Sequence, residues 1–385
     1  MSSPKTLIIT RDLTPTKIDD LISKLTKDPN VILRLGSQGV KFGEALGLES
    51  QLIQLLATWY RAPNSSKTIR TYVGESSSGG FEGLCQSISG MAYLTLCDVA
   101  FLEDGKTKAS RSEAFRPAIS SIQKLASFDF TAAYKGRKIF FPCLKPSKNN
   151  GQIAPLYQYG KVSSKDEFKY VMQQCLEGVL GYKEFKQLGN RFFINIGSCV
   201  YELFKNTDDH SLKDEDGNYY LKSVRGISVS FNQYAPSDLE KVLSNNPEQY
   251  IQFLSKVNRD KANIAFLEIS VVDTGGGYAK SWFQNKGKLL DQLSINDEIE
   301  AVLKCFEKHR TTKKTKSSGT GLTTVLSCLK DLNAGFILRT GKTVTSWYAT
   351  DGSEYVEGKN IQVKETALVG TSFSIFIPII FKDEK

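Results

Sequence analysis

AFLEISVVDTGGGY (265–278) is the stretch on which the reading of this chain turns. An apolar run rich in Val, Ile and Phe, residues that favour a strand, stops at Asp273, and Gly275, Gly276 and Gly277 follow almost at once. A carboxylate only accepts hydrogen bonds. Asp273 at a strand end could therefore take one from an exocyclic amine such as N6 of adenine. Gly275 and Gly277 would let the backbone turn sharply and come close to a flat ring without a Cβ clash. Taken alone, the stretch also fits an ordinary strand and turn with a capping aspartate.

Upstream lies INIGSCVYELFKNTDDHS (194–211). At about 100° per residue, Glu202, Asn206 and Asp209 share one stripe of a helix. Ile196, Val200, Leu203 and Phe204 fall on the opposite face, and Asp208 lies off the polar stripe. Such a helix offers a carboxylate, an amide and a second carboxylate to one site, or simply a solvated face. Downstream, Ser318, Gly319, Thr320 and Gly321 lead into Leu322 and the apolar helical run LTTVLSCLKDL (322–332). A helix start opened by glycine exposes N–H groups that suit phosphate oxygens. The preceding Lys308, Arg310, Lys313, Lys314 and Lys316 add positive charge there, or else make a charged loop.

In order, ExxxNxxD on a helix, DxGxG after a strand and GxGL before a helix resemble the N box and the two glycine boxes of the GHKL superfamily. That superfamily includes heat-shock chaperones, type II topoisomerases, MutL-type repair proteins, MORC-type ATPases and histidine kinases. GTSFSIFIP (370–378) resembles the strand that follows the ATP lid in these domains. The resemblance implies a Bergerat ATP-binding fold, a mixed sheet backed by helices, with ATP and Mg²⁺ as ligands. It implies that Asp273 reads adenine, with Thr371 beside it and Gly275 and Gly277 leaving room. Asn206 would give an oxygen to Mg²⁺, Asp209 would belong to the ATP-binding set, and Glu202 would orient or deprotonate the attacking water. Ser318, Gly319, Thr320, Gly321 and Leu322 would wrap the phosphates in a lid. Residues 237–261, a mostly polar helical segment, read as an insertion between the first two boxes.

The first hundred residues have an α/β pattern of their own. TLIIT (6–10), VILRL (31–35) and TIRTYV (68–73) suggest strands. Residues 18–27, with Thr14 or Thr16 as N-cap, and 48–60 suggest helices. GESSSGGFEG (74–83) lacks a phosphate-loop pattern and reads as a plain loop. KPSKNNGQIAP (145–155) is taken as a connection, dividing the chain into an N-terminal α/β domain (1–150) and an ATP-binding domain (151–385). GFILRTGKTVTSWYAT (335–350) looks like a hairpin. The expected class is α/β, a layered sandwich.

Composition narrows the function further. The chain has 385 residues and 40% hydrophobic content, without a run of eighteen apolar residues or a signal-peptide core, so a cytoplasmic protein that does not engage a membrane is expected. Seven scattered cysteines without CxxC suggest reduced, buried thiols, and two histidines cannot build a polyhistidine site. A formal charge of +9 would suit nucleic acid, but it is modest for this length and reads first as a solvated basic surface. The expected function is an ATPase whose lid and dimer state change with nucleotide to control a protein partner, a homodimer following from the resembled families. A kinase of the histidine-kinase or anti-sigma type is the first alternative. It would have to act in trans, because residues 1–209 contain no histidine to serve as acceptor. A nucleotide-gated interaction module without turnover is the second.

Overall fold

The structure is a computed structural model; it describes residues 5–36, 46–74, 80–134, 136–146, 151–235, 264–284, 292–307, 321–349 and 355–379. The expected insertion (237–261), most of the lid with Ser318, Gly319 and Thr320, and parts of the 74–83 loop and the 145–155 connection lie outside them. The class is mixed α and β, with one parallel and one larger antiparallel sheet.

The first sheet is parallel, in the order β1 (Lys5–Ile9), β2 (Val31–Leu35), β3 (Thr68–Arg70), β4 (Val99–Phe101). Parallel neighbours need crossovers. Helices α1 (Pro15–Lys27), α2 (Leu48–Arg61), α3 (Glu82–Cys85) and α4 (Ile88–Thr95) supply them. Thr14, not Thr16, caps α1: its hydroxyl accepts from Lys17 N at 3.2 Å, and Pro15 occupies the first turn, where its missing N–H is not needed. The hydroxyl of Tyr93 on α4 lies 2.8 Å from Leu33 O and 2.9 Å from Arg70 O, tying that helix to β2 and β3.

Helices α5 (Arg111–Ala126) and α6 (Phe130–Ala133) lead to the second sheet, antiparallel throughout, in the order β10 (Gly335–Tyr348), β11 (Ile361–Ile379), β9 (Ile264–Asp273), β8 (Ser223–Tyr234), β5 (Lys138–Lys145). Two expectations are corrected here. The mixed sheet implied for the second half is wholly antiparallel among the described residues. The 335–350 segment is one long strand: Thr340-Gly341-Lys342 forms a register shift against β11, not a turn. Gly341, at φ 56°, takes the irregular step, and Glu298 Oε2 accepts from Lys342 N at 2.7 Å to hold it. The sheet also reaches across the expected boundary at 150. β5 pairs with β8 from Lys138 to Lys145, so the chain joins the second sheet before that point.

Between β5 and β8 come a small hairpin, β6 (Tyr157–Gln158) and β7 (Lys161–Val162), and helices α7 (Lys165–Val179), α8 (Tyr182–Lys186) and α9 (Asn190–His210). A capping box between Ser164 and Glu167 starts α7. α9 buries Ile196, Val200, Leu203 and Phe204, the apolar stripe expected from its spacing. α7 and α9 cover one face of the second sheet, with the helix Gly321–Asp331 packed on α9, and α1, α2 and α4 cover the other. α1, α2 and α4, which connect the strands of the first sheet, thus also pack on the second.

All seven cysteines are free thiols, and six are buried. Among the described residues no helix is long and apolar enough to cross a membrane.

Candidate functional site

Asp273 ends β9 in the interior of the sheet. Arg225 on β8 is its partner on one side and Thr371 on β11 on the other, and Thr340 on β10 pairs with Thr371. Directly opposite residues point to the same face, so these four form a polar row. The next row inward on that face, Ile227, Val271, Phe373 and Leu338, is apolar and buried. The polar row is therefore the end of a hydrophobic face, not a break in it.

The Asp273 side chain is buried at 6% exposure, and its Oδ1 accepts from Gly275 N at 2.7 Å. Burial pushes its carboxyl up to about 6, while the Gly275 N–H, Arg225, Arg61 and Thr371 favour the charged form and limit the rise. The glycine turn is packed on both sides. A Cβ on Gly275 would come within 2.4 Å of Ser211 Cβ, just past the end of α9. Gly277 has φ 81° and starts the helix Gly277–Phe283, while Tyr278 N donates to Thr340 Oγ1 at 3.0 Å. A side chain at either glycine would drive the turn away from α9 or from the Thr340 end of the row.

The other predicted residues sit along α9. Glu202 and Asn206 are half-buried. Glu202 is ion-paired with Lys165, the first residue of α7. Gly321 starts the helix Gly321–Asp331 beside both, since a Cβ built there would lie 3.1 Å from Glu202 Oε2 and 3.9 Å from Asn206 Nδ2. Leu322 is buried and anchors that helix start. The structure thus gathers Glu202, Asn206 and Gly321 at one place, and Asp273, Gly275, Gly277 and Thr371 near the C-terminal end of the same helix. Asp209 is different: it is exposed and pairs with Lys205 at 3.5 Å.

Sequence reasoning missed Arg225, Asp208 and Tyr157. Arg225 is almost fully buried, at 1% exposure; its Nη1 donates to Tyr157 Oη at 2.7 Å and to Asp208 Oδ1 at 3.0 Å. The Tyr157 hydroxyl donates to Asp208 Oδ1 at 2.6 Å. A buried guanidinium is tolerable only when paired and hydrogen-bonded, and this triad does both while tying α9 to β8 beneath Asp273. The available signal was a single charge, Arg225, inside the apolar strand SVRGISVSF.

A cavity of about 600 Å³ opens on the far side of the glycine turn, lined by Gly275–Gly277, Arg61, Tyr220, Glu298 and Thr340 among others. Glu202, Asn206, Asp273 and Thr371 are not in its wall. Among the described residues no group of three or more His, Cys, Asp or Glu could hold a metal alone. No protein-family model, curated protein or solved structure matches this chain.

Proposed function

We propose that the chain binds Mg²⁺-ATP across the face of α9 through a GHKL-type Bergerat fold, hydrolyses it, and uses the nucleotide-dependent change to control a protein partner. One observation carries this reading. Three sequence motifs separated by dozens of residues meet on one helix: Glu202 and Asn206 against Gly321 toward its middle, and Gly275 of the Asp273 turn against Ser211 at its end.

Each residue has work that suits its chemistry. The ionised carboxylate of Asp273 accepts from the adenine N6 amine, with the Thr371 hydroxyl next to it. Gly321 brings helix N–H groups toward the phosphates. The Asn206 side-chain oxygen is a hard donor of the kind Mg²⁺ takes together with phosphate oxygens and water, so the residues present fit that ion. When bound, Mg²⁺ neutralises charge on the phosphate oxygens. Glu202 orients the attacking water and takes its proton. Lys165 fixes the Glu202 carboxylate and places a cation beside the γ-phosphate, and positioning with charge stabilisation supplies most of what phosphoryl transfer requires.

The test is incubation with γ-labelled ATP, following bound nucleotide, released phosphate and labelled protein. Glu202→Ala is expected to keep ATP binding and to lose about 100-fold or more in phosphate release, as removal of a general base does. Undiminished release by that variant would overturn the role of Glu202. Label appearing on a partner protein, with none released, would replace hydrolysis by phosphotransfer.

A further inference from the structure

Arg61 belongs to the first unit but acts on the turn of the second. It is the last residue of α2, and its Nη1 donates to Gly275 O at 3.2 Å. Its guanidinium lies 3.6 Å from the centre of the Tyr220 ring, a cation–π contact. Among the described residues its buried Nη2 has no hydrogen-bond partner. One turn earlier, Thr58 Oγ1 accepts from Val369 N at 2.8 Å. Val369 adjoins Gly370, whose φ is 81° and whose added Cβ would lie 2.0 Å from Asp273 O. The last turn of α2 therefore grips both strands of the Asp273–Thr371 pair, two residues after the aspartate and two before the threonine.

We infer that Arg61 is a positioning residue for the nucleotide site, and that α2 transmits the state of that site to the N-terminal α/β unit; this rests on the ATP reading above. The physical link is short. Gly275 presents its N–H to Asp273 and its C=O to Arg61, in neighbouring peptide groups that meet at its Cα, so the guanidinium restrains the residue whose N–H holds the adenine-reading carboxylate. The rest of α2 is locked into the interface between units, through Ser50 to Ser374 at 3.3 Å and Gln54 Nε2 to Arg339 O at 3.2 Å. A displacement of the turn on nucleotide binding must then move α2 or break the Arg61 contact.

Arg61 also contributes positive charge near Asp273. Among the described residues, the other groups facing that carboxylate are Arg225 from β8, with Asp208 of α9 behind it, Thr371 from β11, and the Gly275 N–H and Tyr278 beyond the turn. Losing Arg61 should therefore raise the pH at which ATP binding appears.

The experiment is fluorescent ATP-analogue titration from pH 5 to pH 8 for wild type, Arg61→Met and Arg61→Lys, with thermal melts to verify folding. Arg61→Met is expected to bind about tenfold more weakly at neutral pH, the scale of one charged hydrogen bond, with its pH midpoint shifted upward. Arg61→Lys keeps the charge and one donor, and should recover part of both losses. Amide exchange at Gly275, measured without nucleotide, should quicken in Arg61→Met. Wild-type affinity, pH midpoint and Gly275 exchange in Arg61→Met would overturn the inference and leave the ATP site standing. Failure of wild type itself to bind ATP would instead remove the ATP reading on which the inference rests.

Discussion

The two faces of the five-stranded sheet are built on opposite principles. The face under α7 and α9 is apolar through Leu267, Ile269 and Val271, and becomes polar only at the Arg225–Asp273–Thr371–Thr340 row. The face under α2 carries polar groups among its apolar ones. Ser228, Ser270 and Ser374 form one row, and Glu268 sits one row further along. Alternation of this kind ordinarily marks a sheet with one side in water. Here α2 covers it, bringing matched polar groups. Ser50 meets Ser372 and Ser374, Gly47 N donates to Glu268 Oε1 at 3.0 Å, and Glu49 pairs with Lys138. Arg339, buried at 1% exposure, is paired with Asp19 of α1. One face thus gathers its polar groups at one end of an apolar surface, while the other uses them to join two units.

The largest effect expected from breaking this arrangement is on the site row. Gly370→Ala places a Cβ at a left-handed φ and against the Asp273 carbonyl, which is backbone and cannot swing aside. A loss of about 3 kcal/mol or more is expected, from strain and overpacking together. Urea unfolding of this variant measures it, and a loss below about 0.5 kcal/mol, the range of ordinary surface substitutions, would show that the Asp273–Thr371 pair is not held as tightly as described.

A smaller, pH-dependent effect sharpens the account of the other face. Burial pushes the Glu268 carboxyl up from 4.5 to about 7, opposed by Gly47 N–H and Lys138 and aided by Glu49. A carboxyl raised on folding stabilises the fold fully below its unfolded value and loses that contribution as pH rises through the folded value. Between pH 4.5 and about 7, Glu268 should thus cost the wild type at most about 3 kcal/mol. Glu268→Gln keeps an acceptor for Gly47 and should flatten that part of the stability profile. Parallel profiles for the two proteins in urea unfolding at pH 4.5 and pH 8 would mean that Glu268 is not desolvated by α2.

Much of the site face was legible because local rules govern it. The strand ending at Asp273, the apolar stripe of α9 and the helix opening at Gly321 each follow from periodicity and glycine placement. What was not legible depends on pairing between distant segments. β5 was assigned to the first domain because nothing within Lys138–Lys145 names β8 as its partner. The 335–350 segment looks like a hairpin, yet glycine serves bulges and turns alike, and Gly341 sits at a register shift. Helical spacing favoured Asp209, yet Asp208 is the residue that meets a buried arginine, and only the position of Arg225 in the sheet reveals it. The same applies to Arg61: in LESQLIQLLATWYR it is one charge at a helix end, and its contact lies 214 residues away.

The central claim is that Asp273 reads an adenine, and competition between purine nucleotides tests it most directly. The exocyclic N6 amine of adenine donates to a carboxylate, whereas O6 of guanine only accepts. Equilibrium binding of Mg²⁺-ATP and Mg²⁺-GTP at pH 7.5 should show ATP favoured by about 100-fold or more, on the scale at which a buried polar site rejects an unmatched partner. Asp273→Asn, which can turn either amide atom toward the base, should bind ATP more weakly and lose most of that preference. Equal affinity of wild type for the two nucleotides, or undiminished ATP binding by Asp273→Asn, would contradict the account.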